Sequence, residues 1–319
     1  MEAQDILRMA GRFELRETHI SWLLLGKDEV FKIKKPLKFS FLDFSTPERR
    51  RFFCGEEVRL NRRLSPDVYL GVSDVCSGSG GHAFDNGGEA VDAAVRMKRL
   101  DESSKMDSLL ARGAVGEAEV REIARIVASF HKNAEVPGGE FNSPKMIGGQ
   151  IADLGSQRGA IENASGFGEW VDRILSKSAL FIKKNDVLLK KRMREGMVRD
   201  CHGDLHSGNI FMQDGIKIID CIEFSSEFRC IDVASDAAFL AMDLDFAGRE
   251  DLAEAFVDRY VRETGDGELE TLLPFYKCYR ANVRAKIAAI EWSQNPSNEV
   301  RMRMERYVLL AEKYSKTMV

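Results

Sequence analysis

At 319 residues the chain is longer than one typical compact domain, and two lobes with separate cores are expected. Its 47 Lys+Arg against 51 Asp+Glu leave a net charge of -4, which gives no electrostatic reason to expect a nucleic-acid partner. No run approaches the ~18 consecutive apolar residues of a membrane helix, and the start M-E-A-Q-D-I-L-R lacks the pattern of a signal peptide, so a cytoplasmic protein without a membrane partner is expected.

Residues 13 to 34 read as a strand, a loop and a hairpin, with apolar stretches at 20 to 25 and 30 to 33 around Gly26-Lys27-Asp28. Strand alternation puts Val30, Lys32 and Lys34 on one face and Phe31 and Ile33 on the other. A helix is predicted from Ser45-Thr46-Pro47-Glu48, where a hydroxyl cap, an early proline and a glutamate three after Ser45 agree. It should run to about Leu64 and carry Glu56 and Glu57. Strands are predicted at 68 to 75 and 90 to 97, around an exposed Gly/Ser-rich turn at 77 to 81.

Residues 117 to 132 have helical periodicity, with Val120, Ile123, Ala124, Val127 and Phe130 on one face. Residues 134 to 168 are rich in Gly, Pro, Ser and Asn and read as an irregular insertion before a helix from Phe167 to about Met193. Six cysteines (54, 76, 201, 221, 230, 278) occur without a C-x-x-C pair, so they are expected as reduced core residues and suggest neither a zinc knuckle nor a disulfide framework.

The chain is organised around V-R-D-C-H-G-D-L-H-S-G-N-I-F-M-Q-D-G-I-K-I-I-D, residues 198 to 220. Asp204 and Asn209 have the D-x-x-x-x-N spacing of a phosphoryl-transfer loop, and Asp220 ends an apolar run where a second metal-binding carboxylate is needed. Magnesium takes hard oxygen ligands, which the Asn209 amide and the Asp220 carboxylate supply, leaving Asp204 for the acceptor hydroxyl. Apolar strands at 209 to 212 and 216 to 219 around Gln213-Asp214-Gly215 predict a hairpin that sets Asn209 beside Asp220.

His202 to Asn209, H-G-D-L-H-x-x-N, resembles the signature of the aminoglycoside-phosphotransferase-like kinases. Asp232 and Asp236 in I-D-V-A-S-D are similar to that family's G-D-P-A-x-D, with Ile231 and Val233 replacing glycine and proline. E-T-H-I-S-W, F-L-D-F-S-T, L-N-R-R-L and the C-I-E-F tail resemble a little-characterised bacterial branch of the family. Relatives in that branch can carry a P-loop domain, but no G-x-x-x-x-G-K-[ST] occurs here, so the stand-alone form is expected. The resemblance implies an α+β, bilobal protein-kinase-like fold. Residues 1–97 would form a small β-rich ATP-binding lobe, 98–101 a hinge, and 102–319 a larger, mainly helical lobe with the catalytic loop and acceptor site.

It also implies the remaining roles, with ATP and magnesium as cofactors. Lys32 would meet the ATP phosphates, with Lys34 on the same face as the alternative, and Glu57, three residues before L-N-R-R-L, would hold the lysine. No G-x-G-x-x-G occurs, so Thr18, His19 and Ser21 would cover the phosphates unless they are ordinary turn residues. Main-chain groups of Lys98-Arg99-Leu100-Asp101 would pair with adenine, with Met97 behind it. Glu223 could touch metal or cap a turn, His131 would be a structural hydrogen-bonder, and Asp232 and Asp236 would brace the catalytic loop.

Tyr276, Arg280 and Arg284 recur every fourth residue along one helical stripe, which suits either an anionic acceptor or a surface stripe paired with the acidic 250 to 270 segment. The expected function is transfer of the ATP γ-phosphoryl group to a hydroxyl of a small molecule. A nucleotide-binding regulatory module is the alternative, and an aminoglycoside-resistance kinase and a protein kinase are further readings. H-R-D and D-F-G are absent. Neither the acceptor nor the oligomeric state is fixed by the sequence.

Overall fold

The computed structural model describes residues 3–9, 11, 13–39, 41–78 and 81–318, so Ser79 and Gly80 of the expected Gly/Ser turn lie outside the described residues. The chain forms two compact units: Met1–Ser108 with Asn209–Ser226, and Leu109–Gly208 with Glu227–Val319. The first unit therefore reaches beyond the expected hinge and includes the hairpin that follows the H-G-D motif.

Six antiparallel strands build the first unit's main sheet, in the order Glu14–Glu17, Ser21–Leu25, Glu29–Lys34, Glu89–Lys98, Tyr69–Gly78, Gly81–Phe84. Both faces are covered, so residue alternation sorts side chains between two apolar clusters. Leu25, Val30, Val95 and Met97 pack with Cys54 and Val58, whereas Trp22, Leu24, Ile33 and Ala94 pack with Ile6 and Met9. Lys32 and Lys34 share the strand face of Val30, as their spacing predicts, and register places Leu23 opposite Lys32 and Ser21 opposite Lys34.

The helix on that face spans Pro47–Asn61. Its cap is Thr46, whose Oγ1 accepts from Arg49 N at 3.3 Å, while the Ser45 hydroxyl donates to Asp43 at 2.6 Å. The helix is three residues shorter than predicted. Arg50 anchors it: this buried guanidinium donates to Asp92 at 2.7 and 2.9 Å and to the Phe44 carbonyl at 2.9 Å. Glu57 follows two turns later, on the face turned toward the lysines.

The second unit is mainly helical, so the α+β class and the β-rich and helical division expected from the sequence are present. Its core joins Arg158–Ser165, Gly168–Lys184, Val233–Phe246, Leu269–Gln294 and Asn298–Ser315 through residues such as Ile174, Phe239, Met242, Ala281 and Tyr307. Two expectations change. The supposed irregular insertion contains the helices Pro144–Leu154 and Arg158–Ser165, the first capped by Ser143 Oγ accepting from Met146 N at 3.3 Å with Pro144 as its first residue. The helix expected from 167 to 193 is two, Gly168–Lys184 and Asp186–Arg194. It is broken at Asn185, whose Nδ2 donates to the Phe181 carbonyl at 3.1 Å.

Arg192 is fully buried and donates to Asp232 at 2.7 and 2.8 Å and to Asp266 at 2.8 Å through each terminal nitrogen. We expect Arg192→Met to destabilise the protein by roughly 3–5 kcal/mol, because two buried carboxylates lose their cation. Denaturant titration checks this, and a loss below about 1 kcal/mol would contradict it.

Candidate active site

Two neighbouring lysines and three carboxylates meet within the first unit. Lys32 Nζ lies 2.8 Å from Glu57 Oε1 and 2.6 Å from Asp220 Oδ1. Lys34 Nζ donates to Glu57 Oε2 at 2.6 Å and also pairs with Glu223. Glu57 therefore bridges both lysines, one oxygen to each.

Burial weakens both ammonium groups, but for Lys32 the Asp220 and Glu57 charges outweigh it and hold the pKa well above the usual value. Glu223 and Glu57 do the same for Lys34. Burial also opposes ionisation of Glu57, yet the two lysines bring its carboxyl down to about 2. For Glu223 burial wins, and its pKa is raised despite Lys34. The expected Lys32–Glu57 pair is present, but Glu223 faces Lys34.

Asp220 reaches Lys32 because the segment before it is pinned. The hairpin pairs Ile210–Met212 with Ile216–Ile218, and both Asp214 (φ 50°) and Gly215 (φ 95°) turn through the left-handed region. Ile219 N donates to the Asn209 carbonyl at 2.9 Å, so Asn209 and Asp220 stand at adjoining ends of the hairpin as predicted. Ser65 Oγ brackets Ile218, accepting from its N at 2.9 Å and donating to its O at 2.8 Å. Asp220 N donates to Tyr69 OH at 3.1 Å, and Cys221 N to Asn61 Oδ1 at 2.8 Å. Between these anchors Asp220 adopts φ 64°, an uncommon value for a residue other than glycine. Its carboxylate is 47% exposed. A carboxylate and an amide oxygen are both hard-oxygen donors, the chemistry magnesium takes.

The turn expected to cover the phosphates lies between Glu14–Glu17 and Ser21–Leu25. Thr18 N donates to the Ser21 carbonyl at 2.9 Å and Thr18 Oγ1 accepts from Ser21 N at 3.0 Å, so the Thr18 hydroxyl is engaged in closing the turn. His19 is exposed. Ser21 Oγ is buried, has no partner among the described residues, and occurs opposite Lys34 in register.

Farther along the sheet, Met97 lies in the apolar cluster with Val30 and Tyr69, and Leu100 packs against it. Lys98 N donates to the Val68 carbonyl and Arg99 N to the Asp28 carbonyl, each at 2.8 Å. The Arg99 guanidinium holds the Gly26 carbonyl at 2.7 Å and Glu14 at 3.0 Å. The N–H and guanidinium of Arg99, expected among the main-chain partners of adenine, are thus committed to the strand scaffold.

In the second unit, Gly203 turns the H-G-D segment through φ 85°. Asp236 braces that turn, its oxygens accepting from His202 N at 3.0 Å and Gly203 N at 2.9 Å. His131 Nε2 contacts Asp236 at 3.0 Å and Nδ1 contacts Tyr260 OH at 2.7 Å, the structural role expected. Asp232 instead caps its helix, accepting from Ala234 N at 2.8 Å, and holds Arg192. His131, Cys201 and Asp236 approach within 4.8 Å, but the histidine and aspartate atoms are engaged in this bracing.

Burial pushes the Asp236 carboxyl up, whereas His131, His202 and Arg280 bring it down to about 2. A depressed carboxylate stabilises the fold above its unfolded pKa and loses that contribution as pH falls, so about 2 kcal/mol should disappear between about pH 4 and pH 2. We expect Asp236→Asn to flatten stability across that window and to lower it at neutral pH. Denaturant titration across pH checks this, and a wild-type pH dependence in the variant would contradict it.

His206 Nδ1 accepts from Gly208 N at 3.1 Å, which leaves Nε2 as the protonated nitrogen facing Asp204 Oδ2 at 3.4 Å. Burial disfavours an Asp204 carboxylate, but His206, Arg284 and His202 outweigh it and keep its pKa well below the usual range. Ser207 is tied to Asp243, with N to Oδ2 at 2.8 Å. Neither His206 nor Asp243 is named in the motif reading, although the second histidine of H-G-D-L-H is a visible signal.

The stripe on Leu269–Gln294 divides. Arg280 is buried, donates to the Ser235 carbonyl at 3.2 Å and the Gly203 carbonyl at 3.1 Å, and covers the Phe239 ring at 4.8 Å. Arg284 is half-buried, 3.4 Å from Tyr307 OH. Tyr276 is 1% exposed and packs on Phe275, ring centroids 5.1 Å apart. The sequence reading of Tyr276 as an acceptor contact is therefore corrected: its side chain belongs to the core. Helical spacing fixes a stripe but not whether the stripe faces water.

A sheet carrying a buried lysine–glutamate pair and a helical unit carrying the H-G-D loop define a protein-kinase-like fold, and solved structures share it. A choline kinase from Cryptosporidium parvum Iowa II superposes with TM-score 0.57 at 12% identity, over 98% of this chain and 95% of its own. The ADP-bound aminoglycoside phosphotransferase APH(2'')-Ib gives 0.52 at 14% identity, over 100% of both chains. The sequence profile described as "Phosphotransferase enzyme family" (APH) matches residues 82–272, and the chain belongs to that family. Uncharacterized proteins of Mycobacterium tuberculosis (H37Rv) and Mycobacterium bovis are each 34% identical over 296 residues, 88% of this chain and 55% of theirs. The chain thus spans about half the length of the curated relatives it matches.

Proposed function

We propose that the protein transfers the γ-phosphoryl group of ATP to a hydroxyl of a small molecule. The observation that carries this reading is Lys32 Nζ held between Glu57 and Asp220, a buried cation beside an exposed carboxylate at the end of a strained turn. In the reaction the acceptor oxygen forms a bond to the γ-phosphorus, the bond from that phosphorus to the ADP oxygen breaks, and the acceptor proton passes to Asp204. Its neighbours keep Asp204 ionised, so its carboxylate can accept the hydroxyl's hydrogen bond and orient it, taking the proton as the new bond forms. Lys32 contacts ATP phosphates, and Glu57 orients it. Asn209 and Asp220 would hold magnesium, which when bound supplies positive charge to the phosphate oxygens. With the Lys98 and Arg99 N–H groups committed, the Leu100 main chain is the proposed adenine partner, over the apolar floor of Met97 and Tyr69. Ser21 is the remaining candidate for a hydroxyl contact to phosphate.

The acceptor in this reading carries negative charge. Support comes from Arg284, half-buried and close enough to influence Asp204, while Arg280 places Nε and Nη1 on the carbonyls around the loop and keeps a buried Nη2 without a hydrogen-bond partner among the described residues. A guanidinium attracts carboxylate or phosphate and repels an ammonium. Loss of one charged hydrogen bond of about 1.5–3 kcal/mol makes us expect Arg284→Ala to weaken acceptor binding roughly tenfold or more, with ATP binding unchanged. Calorimetry with anionic and cationic candidate acceptors checks this. Tight aminoglycoside binding, unchanged in Arg284→Ala, would overturn the anionic assignment and leave the kinase reading standing.

A further inference from the structure

We propose that Lys34 and Glu223 form a second positioning pair for the magnesium-ATP site, fixing the chain on both sides of the Lys32, Glu57 and Asp220 contacts. The inference rests on the kinase reading and goes beyond it: the reaction as written needs one lysine and one glutamate, but this site buries two of each.

Lys34 and Glu57 are wholly buried and Glu223 nearly so. Burying such charges is costly, and they persist only where partners and hydrogen bonds compensate. Here the compensation has a direction. Lys34 takes Glu57 Oε2 in a 2.6 Å hydrogen bond, which leaves Oε1 for Lys32. The Glu57 carboxylate is thereby fixed about its last torsion, a rotation that a single partner leaves loose.

Through its other bond Lys34 holds Glu223, three residues after Asp220. Before Asp220 the chain is tied by Ile219 to Asn209, and Cys221 N is tied to Asn61. The Lys34–Glu223 bond adds a charged anchor beyond the φ 64° turn to those of Asn61 on Cys221 N and Arg63 on Cys221 Sγ at 3.3 Å, so the exposed Asp220 carboxylate is presented from a segment held at both ends. The strand also makes both contacts at once: Lys32 and Lys34 are two residues apart on one face, matching the two oxygens of one carboxylate. Lys34 is therefore a positioning residue, acting on metal and nucleotide through Glu57 and the 220 to 223 segment.

The test compares Lys34→Met, Glu223→Gln and the Lys34→Met/Glu223→Gln double variant. Melting temperature is read without nucleotide, and magnesium-ATP binding is read by calorimetry, which needs no acceptor. Partners that orient metal ligands typically govern 10- to 100-fold in affinity, so we expect Glu223→Gln and the double variant to bind magnesium-ATP about tenfold more weakly or worse. Glu223→Gln should melt near wild type, because it removes a buried charge and keeps the shape. Lys34→Met should melt lowest, and the double variant should recover melting temperature but not affinity. That separation supports positioning over a purely structural role. If Lys34→Met fails to fold, the other two variants carry the test. Wild-type affinity in both Glu223→Gln and the double variant, or affinity recovering together with melting temperature, would overturn the inference. Absence of magnesium-ATP binding by the wild type itself would instead bring down the kinase reading, and this inference with it.

Discussion

We expect Asp204→Ala to abolish measurable phosphoryl transfer while leaving magnesium-ATP binding intact, and Asp220→Ala to abolish transfer and weaken that binding as well. The difference follows from the two environments. Asp204 is kept ionised by His206 and Arg284, and in the proposed reaction it faces the acceptor rather than the nucleotide, so its loss would remove the hydrogen-bond acceptor for the attacking hydroxyl. A positioned base of this kind contributes typically ~10²- to 10⁴-fold. Asp220 contacts Lys32 and in the proposed site would be a magnesium ligand, so its loss would remove that ligand and leave the lysine with Glu57 alone. Steady-state rates and calorimetry on the two variants check the pair. Wild-type turnover by Asp204→Ala with the true acceptor would show that the role is misassigned.

Replacing the lysines should separate function from stability. We expect Lys32→Ala to lower turnover ~10²-fold or more and to raise the apparent ATP requirement, because a charge aimed at the transferring phosphate is lost. Lys34→Ala should affect turnover less and cost more in stability, roughly 3–5 kcal/mol, because it strips the cation from Glu223 and from one oxygen of Glu57 in a fully buried place. Side-by-side kinetics and denaturant titrations read both quantities. The reverse order in turnover would transfer the phosphate contact to Lys34.

Much of this arrangement of residues was legible because it depends on short spacings. The D-x-x-x-x-N interval and the apolar run to Asp220 require a hairpin that returns the chain, and Asp214-Gly215 supplies the left-handed turn. Alternation along Glu29–Lys34 correctly placed both lysines on one face. It could not rank them, because rank depends on what lies opposite: Asp220 and Glu223 are nearly 190 residues away in sequence.

The same limit explains Glu223, which sequence proximity to Asp220 made a possible metal ligand and the fold turns toward Lys34. Tyr276 shows a different failure, since a four-residue period locates a stripe and only neighbouring helices decide its burial. Composition misled at 134 to 168, where glycine and proline suggested irregular chain. Ser143-Pro144 was in fact a helix start, and packing of Ile147, Ile151 and Ile161 repaid the unfavourable glycines.

The central claim is most directly tested by incubating the wild type and Asp204→Ala with ATP, magnesium and a library of hydroxylated metabolites, and identifying phosphorylated products by mass spectrometry. The account predicts one acceptor, or a small related set bearing carboxylate or phosphate, that gains a phosphoryl group with the wild type and not with the variant. Tight binding of ATP without transfer to any acceptor would contradict it and favour a regulatory nucleotide-binding module.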